Sequence, residues 1–178
     1  VARRSKVRPL HPSIQHHVLV CRNRETDIIH PHVRTVSYTG TYSPKGPGYL
    51  SLYGWTRNPL VEYYIVESWD VLAPGEPWTL RGNYTADGGN YAFYTSQRVN
   101  KPSIEGTRTF TQYFGVRAEA EHKVGAVSGS INTATHFDFW KSKGYGLGNF
   151  EQNMFFVTEA FANGTKLPSG TSTITVSG

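Results

Sequence analysis

Two glutamates stand where folding alone gives little reason for a glutamate. Glu62 lies in N-P-L-V-E-Y-Y-I-V-E and Glu159 in M-F-F-V-T-E-A-F. Both runs are rich in β-branched and aromatic residues and read as strands. Alternation puts Glu62, Tyr64 and Val66 on one face of the first strand, with Tyr63, Ile65 and Glu67 on the other. In the second, Phe155, Val157, Glu159 and Phe161 share a face. A carboxylate set among rings is costly to bury unless it is paired or used. At a sheet edge it would simply face water, and the pattern admits both readings. Brought together on one concave sheet, the two acids would divide. Apolar walls and like charge raise one pKa while the other acid stays ionised, which is what glycoside cleavage needs. Tyr49, Tyr53, Trp55, Tyr64 and Tyr113 offer flat faces for sugar rings, although the same rings suit an ordinary core.

The elements that must hold these residues are mostly strands. Thr35–Tyr42, Tyr49–Trp55, Tyr91–Asn100, Thr107–Arg117 and Thr171–Ser177 resemble the two glutamate runs, Val61–Trp69 and Met154–Phe161, in composition. Gly, Pro, Asn and Asp gather between them, as in Ser43-Pro44-Lys45-Gly46-Pro47-Gly48 and Ala86-Asp87-Gly88-Gly89-Asn90. Short strands at this spacing predict an all-β sandwich or barrel. One stretch differs. Thr133–Gly144 places Phe137 and Trp140 three apart, with lysines near its end and Gly144 as a stop, which predicts a single amphipathic helix.

Length and composition set the remaining bounds. The 178 residues suit one domain with a real core. No apolar run is long enough to span a membrane. The chain opens without the apolar stretch of a signal peptide and reads as a mature form. Cys21 is the sole cysteine, so neither an intrachain disulfide nor a thiolate metal cluster is available. Asn83 and Asn163 each begin a glycosylation sequon. The net charge is +5, but residues 1–34 carry all of it, with seven Lys/Arg against two acids. The rest balances at 11 against 11. A neutral body argues against nucleic-acid binding through its aromatics. Residues 1–34 also hold none of the aromatics and glycines but five of the seven histidines (His11, His16, His17, His30 and His32), without a recurrent metal-ligand spacing. A boundary is therefore drawn at residue 34. Residues 1–33 are an anomalous basic segment, either a tail or a misassigned stretch, and 34–178 are the folded domain.

The segment Tyr49–Glu67, Y-L-S-L-Y-G-W-T-R-N-P-L-V-E-Y-Y-I-V-E, closely resembles the nucleophile strands of family 11 glycoside hydrolases, the small endo-β-1,4-xylanases. Thr95–Gly106 resembles that family's thumb hairpin, Thr109–Arg117 the strand leaving it, Asn132–Gly148 its lone helix and following loop, and Val157–Phe161 its acid/base strand. The resemblance implies a β-jelly roll of two curved antiparallel sheets, like a partly closed right hand, with one α-helix and a xylan-binding cleft. It implies Glu62 as nucleophile and Glu159 as acid/base in a retaining double displacement, with carboxyls about 5–5.5 Å apart. Tyr53, Trp55, Tyr64, Arg98 and Gln112 would contact the sugar or the nucleophile. Pro102, Ser103 and Ile104 would press on the chain from the thumb. No cofactor or metal is implied, and a secreted, extracellular monomer acting on xylan is expected, with no nucleic-acid or membrane partner. The alternative is an inactive xylan- or cell-wall-binding protein on the same fold. The sequence departs from the family pattern at Phe161 and Asn153, where tyrosines are usual, and at Phe114, where a tryptophan is. Nothing in residues 1–33 matches the family's early strands or the Asn/Asp that tunes its acid.

Overall fold

A computed structural model describes residues 19–21, 35–72, 77–151, 154–161 and 168–178. The polypeptide forms strands β1 (Leu19–Cys21), β2 (Thr35–Lys45), β3 (Gly48–Arg57), β4 (Val61–Trp69), β5 (Thr79–Ala86), β6 (Gly89–Ser103), β7 (Gly106–Arg117) and β8 (Gly125–Asn132). Helix α1 (Thr133–Ser142) follows, then β9 (Asn149–Phe150), β10 (Phe155–Ala160) and β11 (Ser169–Ser177). One curved sheet runs β1-β10-β3-β4-β7-β6-β5, with β9 also pairing β3, and a second runs β11-β2-β8. All pairings are antiparallel except β4 with β7. This is the expected all-β jelly roll with one helix.

The two faces of the large sheet are both covered, for different reasons. One packs on the small sheet and the helix. There Tyr63, Ile65, Phe93, Ile131, Phe137 and Trp140 form the main core with Tyr38 and Val127. The other face carries a second, smaller cluster of Tyr49, Tyr64, Val66, Trp69, Phe114 and Val116. Every residue of β4 is buried, so its alternation divides two interiors rather than core from solvent.

Helix α1 forms as its sequence suggests. Asn132 caps it by accepting from the Ala134 amide at 3.1 Å, Phe137 and Trp140 are buried, and Gly144 follows at φ +86°. The Asp87-Gly88 turn has φ of 49° and 70°. Positive φ at both positions matches the twist of the β5–β6 hairpin.

Four strands went unforeseen: β1, β5, β8 and β9. The first of these lies within residues 1–33. Leu19, Val20 and Cys21 pair with Thr158, Val157 and Phe156 on β10. A three-residue strand is made by its neighbour's open edge, so alternation could not announce it. The histidines, the basic residues of the segment and Asn163 lie outside the described residues.

Candidate active site

Glu62 and Glu159 are on strands separated by β3 alone, and both are buried, at 9% and 7% exposure. The face they share is the smaller cluster's. Glu62 pairs across the ladder with Trp55 on one side and Gln112 on the other. Glu159 is the register partner of Tyr49.

The carboxylates have unlike surroundings. Glu62 is gripped by three donors. Gln112 Nε2 donates to its Oε2 at 2.7 Å, and the Tyr64 and Tyr53 hydroxyls donate to its Oε1 at 3.1 and 3.2 Å. Burial pushes its pKa up, while these three donors and the charge of Arg98 pull against that. Glu159 has burial raising its pKa, joined by the charge of Glu62, and is pushed up to about 8. The three donors favour the ionised form of Glu62, while burial and the neighbouring charge favour the protonated form of Glu159. Tyr49, Tyr53 and Tyr64 are themselves held well above the ordinary tyrosine value, by burial first and then by the two acids. They stay neutral, and Tyr53 and Tyr64 serve as hydroxyl donors to Glu62.

The other expected site residues divide into two groups. Trp55 is beside Glu62 in register, donates its indole N–H to the Tyr53 hydroxyl, and packs on Phe110 with centroids 5.0 Å apart. It is a support for the Tyr53–Glu62 contact. Arg98 lies on β6, close enough for its charge to act on both Glu62 and Tyr49. Pro102, Ser103 and Ile104 form the tip of the β6–β7 hairpin, where Pro102 pairs with Thr107 and Ser103 with Gly106. The tip is closed by Ser103 Oγ, which donates to the Gly106 carbonyl at 2.7 Å and accepts from the Glu105 amide at 3.0 Å. Gly106 there has φ +80°, a conformation that favours glycine. Tyr113 is corrected. It faces the main core against Phe93 and Trp140, because it is one residue out of phase with Gln112 and Phe114. Asn153 lies outside the described residues.

Three features had no signal in the sequence. Trp78, just ahead of β5, stacks on Phe114 with centroids 4.4 Å apart. Arg57 joins Glu105 at the hairpin tip to Glu151 beyond β9. Phe110 buttresses Trp55. Each comes from a segment distant in sequence.

Fold and site together define a curved β-sandwich with a two-carboxylate cleft and a hairpin thumb at one end. The chain belongs to glycosyl hydrolases family 11, which it matches over residues 25–173. It is 47% identical over 144 residues to an ethylene-inducing xylanase 1 of Verticillium dahliae, covering 81% of this chain and 60% of that one. It is 43% identical over 143 residues to endo-1,4-β-xylanase A of Schizophyllum commune, covering 80% and 70%. A solved structure, from a comparison of two major endo-1,4-β-xylanases of Trichoderma reesei, superposes with a TM-score of 0.68 at 33% identity, over 82% of this chain and 75% of that one. The chain thus spans about 60% of the length of the first of these relatives. Among the described residues there is no group of three or more side chains suited to a metal ion, and no helix long and apolar enough to cross a membrane.

Proposed function

We propose that this chain hydrolyses internal β-1,4-xylosidic bonds of xylan by a retaining double displacement. The observation that carries the reading is the unequal pair: Glu62 held by three donors, Glu159 buried and shifted to about 8. In the first step a Glu62 oxygen attacks the anomeric carbon while Glu159 gives its proton to the departing glycosidic oxygen. A covalent xylosyl ester on Glu62 results, and the shortened chain leaves as an alcohol. In the second step Glu159, now ionised, takes a proton from water as that water attacks the same carbon. The Glu62 carboxylate departs and both groups are restored. Tyr64 and Tyr53 hold the attacking carboxylate and face the positive charge that develops on the sugar ring, and Gln112 fixes its second oxygen. The extended polymer is too large to be taken up whole, which supports a secreted, extracellular enzyme, and the presence of both buried carboxylates on one chain supports action as a monomer.

Glu62→Gln and Glu159→Gln are each expected to lower reducing-end release from xylan by about three orders of magnitude. Proton NMR should show the first-formed product as the β-anomer. Full activity in either variant, or an α-anomer formed first, would sink the proposal. A chain that binds xylan yet releases no product would be the inactive binder instead.

A further inference from the structure

The geometry points to Trp78 as a sugar-stacking residue on the leaving-group side of the cleft, doing from a distant segment what Phe114 is too deeply buried to do. This rests on the reading of the chain as a xylan hydrolase.

The ladder places it. Thr79 pairs with Thr95, so the position before it falls opposite Ser96. Ser96 pairs with Gln112, and Gln112 with Glu62. Trp78 therefore ends the row that carries the nucleophile, on the same face of the sheet. Its contacts agree. The indole stacks on Phe114 at 4.4 Å and 26°, and Phe114 stacks on Tyr64 at 4.9 Å and 10°. Tyr64 in turn donates to Glu62. Trp78 also packs against Tyr94 at 5.3 Å and Tyr49 at 6.4 Å.

Burial decides which ring meets the sugar. Phe114 is 3% exposed and Tyr64 is 5% exposed, while Trp78 keeps part of its surface open. It is the outermost layer of the stack. A partly open indole, backed by another ring, is a rigid flat surface that costs little entropy to fix. The side follows from Tyr49. This ring is opposite Glu159 in register and packs on Phe161, whereas Tyr53 and Trp55 attend Glu62. Trp78 reaches toward Tyr49, hence toward the proton donor, and a proton donor must face the leaving group.

The test compares wild type, Trp78→Phe and Trp78→Ala on xylohexaose and on a nitrophenyl xylobioside, which has no sugar on the leaving side. For Trp78→Ala, kcat/KM on xylohexaose is expected to fall about tenfold, mainly through KM, as for one lost aromatic contact. The loss on the aryl substrate should be several-fold smaller. Trp78→Phe, which keeps a ring over Phe114, should show the same length dependence to a lesser degree and stands in if Trp78→Ala does not fold. Equal losses on the two substrates, or no loss on either, overturn the assignment. Tryptophan fluorescence of the Glu62→Gln protein provides a readout without turnover. Xylohexaose should perturb it, and Trp78→Phe in that background should remove most of the change; an undiminished change overturns the assignment. If wild type cleaves neither substrate, the reading as a hydrolase fails, and the fluorescence titration still decides whether Trp78 meets sugar.

Discussion

The chemistry of the site turns on how differently two identical side chains are treated. Under the proposed double displacement Glu62 must be ionised to attack, and Glu159 must carry a proton to give it away. The fraction of enzyme in that state rises with pH through the Glu62 pKa, which burial sets above 4.5. It falls again as pH passes about 8, where Glu159 loses its proton. A bell-shaped kcat/KM profile is therefore expected, with its alkaline limb near 8. Gln112→Leu removes a donor that favours the ionised nucleophile, so its acid limb should move to higher pH while the alkaline limb holds. Rates measured across pH 4–10 check both limbs, and an acid limb that stays in place would show that Gln112 does not tune Glu62. These two acids stood out as candidates because carboxylates rarely interrupt apolar strand runs, although the pattern alone also admitted glutamates facing water. Their inequality was not legible, since it depends on Tyr53, Tyr64 and Gln112 converging from three strands on one carboxylate.

At the scale of elements, the hairpin formed by β6 and β7 is tied down at its tip. Arg57 Nη1 meets Glu105 at 2.7 Å, and its Nε meets Glu151 at 2.5 Å. Glu105 belongs to the thumb, Arg57 to the end of β3, and Glu151 to the segment that follows β9. One guanidinium thus bridges three elements across the mouth of the cleft, using the separate donors of its planar fork. The side chains are about a third exposed, so the tie is open to screening by salt. Arg57→Gln is expected to raise KM for xylan roughly two- to fivefold with little change in kcat. About 1 M NaCl should raise KM in wild type and have a smaller effect in the variant. Equal salt responses in the two would refute the tie. The hairpin was legible from Thr95–Gly106 and Thr109–Arg117, but its partner was not, because Arg57 and Glu105 are linked only by the way β3 ends beneath the tip. The same limit explains the missed strands. Thr79–Ala86 and Gly125–Asn132 are half-exposed and rich in small or polar residues, so they lack the apolar alternation that marked β4.

For the molecule as a whole, the two sheets must stay in register for the cleft to keep its curve, and a buried charge bears on that. Glu67 is one strand position out of phase with the face that carries Glu62, so it points between the sheets, and its side chain is fully buried. Its oxygens accept from the Tyr91 hydroxyl at 2.6 Å, the Tyr38 hydroxyl at 2.8 Å, and Arg117 Nε and Nη2 at 3.1 and 2.9 Å. Tyr38 comes from β2 in the small sheet, and the other partners from β6 and β7 in the large one, so the carboxylate joins the layers. Burial and the negative Glu67 hold both tyrosines far above their ordinary pKa, which keeps them as donors at any ordinary pH. Arg117 also lies 4.7 Å over the Tyr91 ring. Removing the arginine alone would leave a fully buried carboxylate with neutral donors only, the costly way to break such a pair. Arg117→Met is therefore expected to destabilise the fold by roughly 3 kcal/mol and to lower Tm by about 10 °C. Tyr38→Phe, which deletes one hydrogen bond and no charge, should cost about 1 kcal/mol. Thermal melts of the three proteins decide the matter. If both variants lose the same small amount, the charge contributes nothing beyond its hydrogen bonds. If Arg117→Met melts far lower while its pH profile at the active site is unchanged, the ionic pair within the large sheet is what holds the buried carboxylate that Tyr38 joins to the small sheet.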